Sequence, residues 1–117
     1  MSMNDLPDAQ QRLTRLLEFH AQNADDPFIN HALGLEYVNA NNAERAVIFF
    51  RSAIESDAAY VASYYHLGKA LELLGKREEA RKVYGDGMVM AKSLNDAHAQ
   101  SELEAALALM SESSTHA

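Results

Sequence analysis

Leu33-Gly34-x2-Tyr37, followed by Ala46-x3-Phe50 and by Ala53 three residues later, decides how this chain folds, because it is written twice. Leu33-Gly34 returns as Leu67-Gly68, Ala46 as Ala80, Phe50 as Tyr84 and Ala53 as Gly87, each 34 residues further on. Self-similarity at a fixed period of this size is the mark of stacked supersecondary units. One helical hairpin cannot cover its own apolar face, so hairpins stack. A Gly or Ala at each crossing lets two helices approach while larger side chains fill the space beside them. Gly34, Ala46, Ala53, Gly68, Ala80 and Gly87 are those small positions. A glycine in a helix is otherwise a turn or a tolerated weakness, but chance does not set Gly34 and Gly68 one period apart, each behind a leucine.

A 34-residue period carrying W-x2-L-G-x2-Y and then A-x3-F is the pattern of the tetratricopeptide repeat, which this chain resembles. The first copy opens Asn30-x2-Leu33-Gly34-x2-Tyr37 and the second Tyr64-x2-Leu67-Gly68-x2-Leu71. Two departures stand out: Asn30 replaces the opening aromatic, and Ala58 and Lys92 stand where the pattern closes on proline. The resemblance covers residues 10–110 and implies an all-α helical-hairpin solenoid, an α-α superhelix of about six antiparallel helices. Asp96-x-His98 and an acidic, alanine-rich last helix add a likeness to the small stand-alone tetratricopeptide proteins of bacteria.

At 117 residues the chain makes one domain, large enough for a core but short for a solenoid, where stability takes about three repeats of stacking. The flanks must therefore supply cover. Apolar residues at 48% and charged residues at 23% describe a soluble globular chain and not a disordered one. The absence of cysteine excludes disulfides and thiolate chemistry. There is no apolar run of about 18 residues and no basic-then-apolar leader, so the expected setting is cytoplasmic, with no membrane. Ten Lys and Arg against 17 Asp and Glu, a formal net charge of −7, argue against nucleic acid and for a protein partner with a basic or apolar face.

The single domain is expected over residues 5–111. Asp5-Leu6-Pro7 supplies an N-cap and a first-turn proline for an N-terminal capping helix, 5–23, with Leu13, Leu16, Leu17 and His20 at helical spacing. Leu16 precedes Phe50, and Phe19 precedes Ala53, by the same 34 residues. Asp26-Pro27 opens the first repeat, 27–60, in which Asn41 and Glu44 read as a capping box. Asp57 caps the next helix from about Ala58 and the second repeat, 61–94, breaks at Gly75. Gly85 and Gly87 make its second helix the weakest by propensity. Asn95 and Asp96 open a C-terminal capping helix, 95–111, and 112–117 read as a disordered tail. In that last helix Ala99, Leu103, Ala106, Leu107 and Met110 form one stripe.

No catalytic pattern emerges. G-x-S-x-G and a phosphate-cradling loop are both absent, and Gly85-Asp86-Gly87 lies in an apolar-periodic helix with no strand before it. Glu72, Glu78 and Glu79 read as solvated faces with pairs such as Glu78 and Lys82. His31 and His66 occupy corresponding helices, but their places in the repeat differ by one residue and no His-x3-His or Glu-x-x-His accompanies them. The reading is therefore a non-enzyme without cofactor or metal.

The family resemblance implies a concave groove lined by the first helix of each hairpin, where partner peptides or helices lie. Its residues here would be Phe28, His31, Leu35 and Asn39, then Tyr65, Lys69 and Glu72, with Leu103 from the last helix. That mix offers aromatic area for burial and polar groups to fix register. Alternatively Phe28, Leu35 and Leu103 close on one another as core, which Tyr65 and Lys69 best escape. One subclass grips the carboxylate tails of heat-shock chaperones with a lysine, two asparagines and two further basic residues. Here His31, Leu35, His66, Asp96 and Gln100 stand in those places, so that partner is disfavoured. The expected function is a protein-interaction module binding a partner's peptide or helix. A subunit that self-associates through its groove or last helix is the alternative.

Overall fold

In the computed structural model, which describes residues 2–115 and the side chains of residues 2–112, the polar breaks in the sequence separate six α-helices. These are α1 (Asp8–Gln22), α2 (Pro27–Asn39), α3 (Ala43–Ser56), α4 (Ala62–Leu73), α5 (Arg77–Ser93) and α6 (Ala97–Thr115), preceded by a 3-10 turn, Met3–Asp5. Among the described residues there is no strand, and no helix is long and apolar enough to cross a membrane.

Three turns share one device. Asn41, Gly75 and Asn95 take left-handed φ values of 59°, 75° and 57°. The N–H of the residue after each then reaches the carbonyl five residues back: Asn42 to Tyr37 (2.8 Å), Lys76 to Leu71 (2.9 Å) and Asp96 to Ala91 (2.9 Å). This satisfies carbonyls that the helix end leaves open and reverses the chain. Asn41 is spent on the turn, so the expected capping box with Glu44 does not form. Asn42 caps α3 instead, its Oδ1 accepting from the Arg45 N–H at 3.1 Å. Asp26 and Asp96 cap α2 and α6 as read, accepting from Ile29 (3.1 Å) and Ala99 (3.0 Å). Asp57 accepts from Ala59 (3.0 Å) inside a turn, and α4 begins at Ala62 instead of Ala58. Asp5 belongs to the 3-10 turn, and α1 starts behind Pro7.

The repeated small residues sit where aromatic rings need room. A Cβ on Gly34 would run into the ring of Phe50, and one on Gly68 into the ring of Tyr84. On Gly87 it would lie 2.6 Å from the Tyr64 Cβ and 3.0 Å from the Leu103 Cδ1. Phe50, Tyr84, Ala46, Ala53 and Ala80 are wholly buried around these crossings. The departure at Asn30 also has its reason. Tyr64 donates its hydroxyl to the Ala58 carbonyl (2.9 Å), and Asn30 donates its Nδ2 to Ala24 (2.9 Å), one period earlier. Two different side chains thus tie down the same point of the inter-hairpin loop.

Helices α2, α4 and α6 lie side by side, while α3 packs between α2 and α4, and α5 between α4 and α6. Helix α1 covers α2 with half-buried Leu13 and Leu16, and Arg12 pairs with Glu36 at 2.9 Å. Phe19 is exposed, because the place that Ala53 and Gly87 hold in α3 and α5 is a crossing with no room for a ring. Helix α6 buries Ala99, Leu103, Ala106 and Met110 and half-buries Leu107. It runs on to Thr115, beyond the expected loss of order at 112, after Arg77 donates to the Met110 carbonyl at 3.0 Å. Residues 116 and 117 of the expected tail lie outside the described residues. The radius of gyration is 15.4 Å, against about 13 Å for a compact domain of this length, as stacking along one axis requires.

Candidate partner-binding groove

Helix α4 presents Tyr65, Lys69 and Glu72 on one face, one turn apart, and these three side chains meet. The Lys69 ammonium lies 5.6 Å from the centre of the Tyr65 ring, a cation–π distance, and 3.9 Å from the Glu72 carboxylate. Glu72 is held from behind by the hydroxyl of Tyr84, which donates to its Oε2. Burial first, then this bond and the Glu72 charge, push the Tyr84 phenol far above its ordinary range, so it stays a donor. Tyr84 was missed in the sequence. The signal was present at the repeat place shared with Phe50, where the second copy adds a hydroxyl.

The rest of the expected site divides. Phe28 is 65% exposed, Asn39 is exposed at the end of α2, and Leu35 is half-buried between them. Leu103, 1% exposed, packs into the core near Gly87 and offers nothing to a partner. His31, 9% exposed, is also withdrawn. Its Nδ1 lies 2.8 Å from the Ser63 Oγ, and its ring is packed by Phe50 (5.4 Å), Tyr60 (5.3 Å) and His66 (5.3 Å). The two histidines therefore meet across the α2–α4 junction, despite their one-residue difference in repeat position. Burial, and secondarily His66, lower the His31 pKa to about 4. Burial also lowers His66, partly countered by Glu102. Among the described residues no group of three or more His, Cys, Asp or Glu is placed to hold a metal ion. On α5, Glu78 pairs with Arg81 and Lys82 with Asp86, so the expected Glu78–Lys82 pair is replaced by neighbours within better reach.

A family model described as "Tetratricopeptide repeat" matches residues 29–60 and 61–86. A TPR repeat-containing protein of Pseudomonas aeruginosa is 31% identical over 71% of this chain and 79% of its own length. An uncharacterized protein of Methanocaldococcus jannaschii is 34% identical over 52% of this chain and 71% of its own. The crystal structure of a tetratricopeptide repeat domain protein from Salinibacter ruber is 36% identical and superposes with a TM-score of 0.70, over 74% of this chain and 97% of that one. A solution structure of a protein from Bordetella parapertussis, 28% identical, gives 0.75 over 86% and 88%. The chain belongs to the tetratricopeptide repeat family, whose repeats generally mediate protein–protein interaction.

Proposed function

We propose that the face of α2 and α4 binds a segment of a partner protein, with Tyr65 and Lys69 at its centre and Phe28, Leu35, Asn39 and Glu72 around them. The observation that carries this is the Tyr65–Lys69–Glu72 assembly backed by buried Tyr84. A half-exposed aromatic fixed beside charges that already hold each other loses little freedom on binding, which is what makes an anchor effective. The role is non-catalytic, and the chain's negative charge suits a partner with a basic or apolar face.

The double variant Tyr65→Ala with Lys69→Ala should lose captured partners in an affinity pull-down, about 2 kcal/mol or more in affinity, while its helical circular dichroism stays that of wild type. Unchanged capture would move the site elsewhere. Self-association is a second reading, favoured by Leu109, 57% exposed on α6. Light scattering across a concentration series decides it, a constant mass removing the dimer.

A further inference from the structure

The opposite side of α4 borders a second, smaller recess. Tyr64 and Leu67 project more than a quarter turn away from Tyr65 and Lys69 on a helix of 3.6 residues per turn. With Ile54 of α3 and Val83 of α5 they floor a cavity of about 190 Å³ between the two outer helices. Sites for drug-sized molecules run to about 300–1,000 Å³, so this one fits a single side chain.

Its rim is acidic by one charge: the carboxylates Glu55, Glu79 and Asp86 stand against Arg51 and Lys82. Arg51 reaches across to Glu79 at 3.0 Å, an exposed pair that balances its charge without removing it from the rim. Glu55 has no ionic partner among the described residues. Asp86 is 55% exposed, and its one partner is Lys82, 77% exposed and 2.9 Å away. An exposed pair four residues apart on a helix holds its members only loosely, so Asp86 is free to turn to another cation. Burial first, then the charges of Asp86 and Asp57, raise the Tyr64 phenol.

We infer that this recess is a second docking site, taking one aliphatic side chain of a partner segment whose neighbouring residue is lysine or arginine. The apolar floor buries the aliphatic group, while Glu55 and Asp86 receive the cation and turn away acidic segments. The site lies apart from the Tyr65–Lys69 face, on the other side of α4.

The test is a titration of 15N-labelled protein with three short blocked peptides: Lys-Leu-Lys, Glu-Leu-Glu and Lys-Ser-Lys. The expected result is movement of the Ile54, Glu55, Val83 and Asp86 amides with the first peptide only. Glu55→Gln with Asp86→Asn, both exposed, should weaken that binding by about tenfold and leave the melting curve unchanged, since ion pairing supplies the selectivity. Equal shifts from Lys-Ser-Lys would reduce the recess to a cation site without an apolar anchor and overturn the proposal. Equal shifts from Glu-Leu-Glu, shifts centred on Tyr65 and Lys69, or no shifts would overturn it as well.

Discussion

Three helical glycines that look alike in the sequence are predicted to behave differently, because what matters is the space where a Cβ would go. Gly34 has none: the ring of Phe50, itself wholly buried, occupies it. Gly34→Ala should therefore destabilise by about 1–3 kcal/mol, although alanine is the better helix former by about 1 kcal/mol. Gly87, pressed by Tyr64, should follow it. Gly85 meets nothing within 4 Å, so Gly85→Ala should gain up to about 1 kcal/mol. Urea midpoints of the single variants check this directly. A stabilised Gly34→Ala protein would mean that the Phe50 ring does not fill that crossing.

At the scale of elements, what could be read was whatever the repeat prints twice. The Leu-Gly pairs and the Ala-x3-aromatic spacing mark the hairpins, and the breaks near Asp26, Gly75 and Asp96 mark where α1 gives way to α2, α4 to α5 and α5 to α6. Legibility failed where one residue of drift matters, since a shift of one turns a helical side chain by about 100°. Leu103 follows half-buried Lys69 by 34 residues but buried Gly68 by 35, and α6 itself begins 35 residues after α4, so Leu103 faces the core and leaves the groove. The bond from the Tyr84 hydroxyl to Glu72 and the His31–His66 contact were illegible for another reason: both depend on distances between side chains that no local pattern encodes. The same inward turn of α6 makes it a cover for the second hairpin. Burying Leu103 and Met110 contributes about 1.5–3 kcal/mol each, a large share of a domain's net stability of about 5–15 kcal/mol. A chain ending at Ser93 should lose its cooperative melt and bind an apolar dye, as expected when packing is lost and helices remain. A monomeric truncation that melts as sharply as wild type would show that α6 covers nothing essential.

At the scale of the whole molecule the junction between the two repeats should weaken under acid. His31 sits on α2 and meets Ser63 and His66 on α4, Phe50 on α3 and Tyr60 in the turn between. The charges that face this cluster are Asp26, near Tyr60, and Glu102 of α6, near His66, and neither carboxylate bonds to His31. The neutral imidazole is therefore the form the fold accepts, with a pKa of about 4 against 6.5 for the free side chain. Between these values the unfolded chain binds a proton that the folded chain refuses. Stability is then fully present above pH 6.5 and falls as the pH drops towards 4, by at most about 3 kcal/mol from His31, with His66 acting in the same direction. In His31→Gln, which keeps a polar group near Ser63 but cannot titrate, the urea midpoint should vary less between pH 6.5 and 5 than in wild type. This range lies above most carboxylate titration, so the difference between the two proteins isolates the imidazole. Parallel pH profiles for the two proteins would place the acid sensitivity outside the α2–α4 junction.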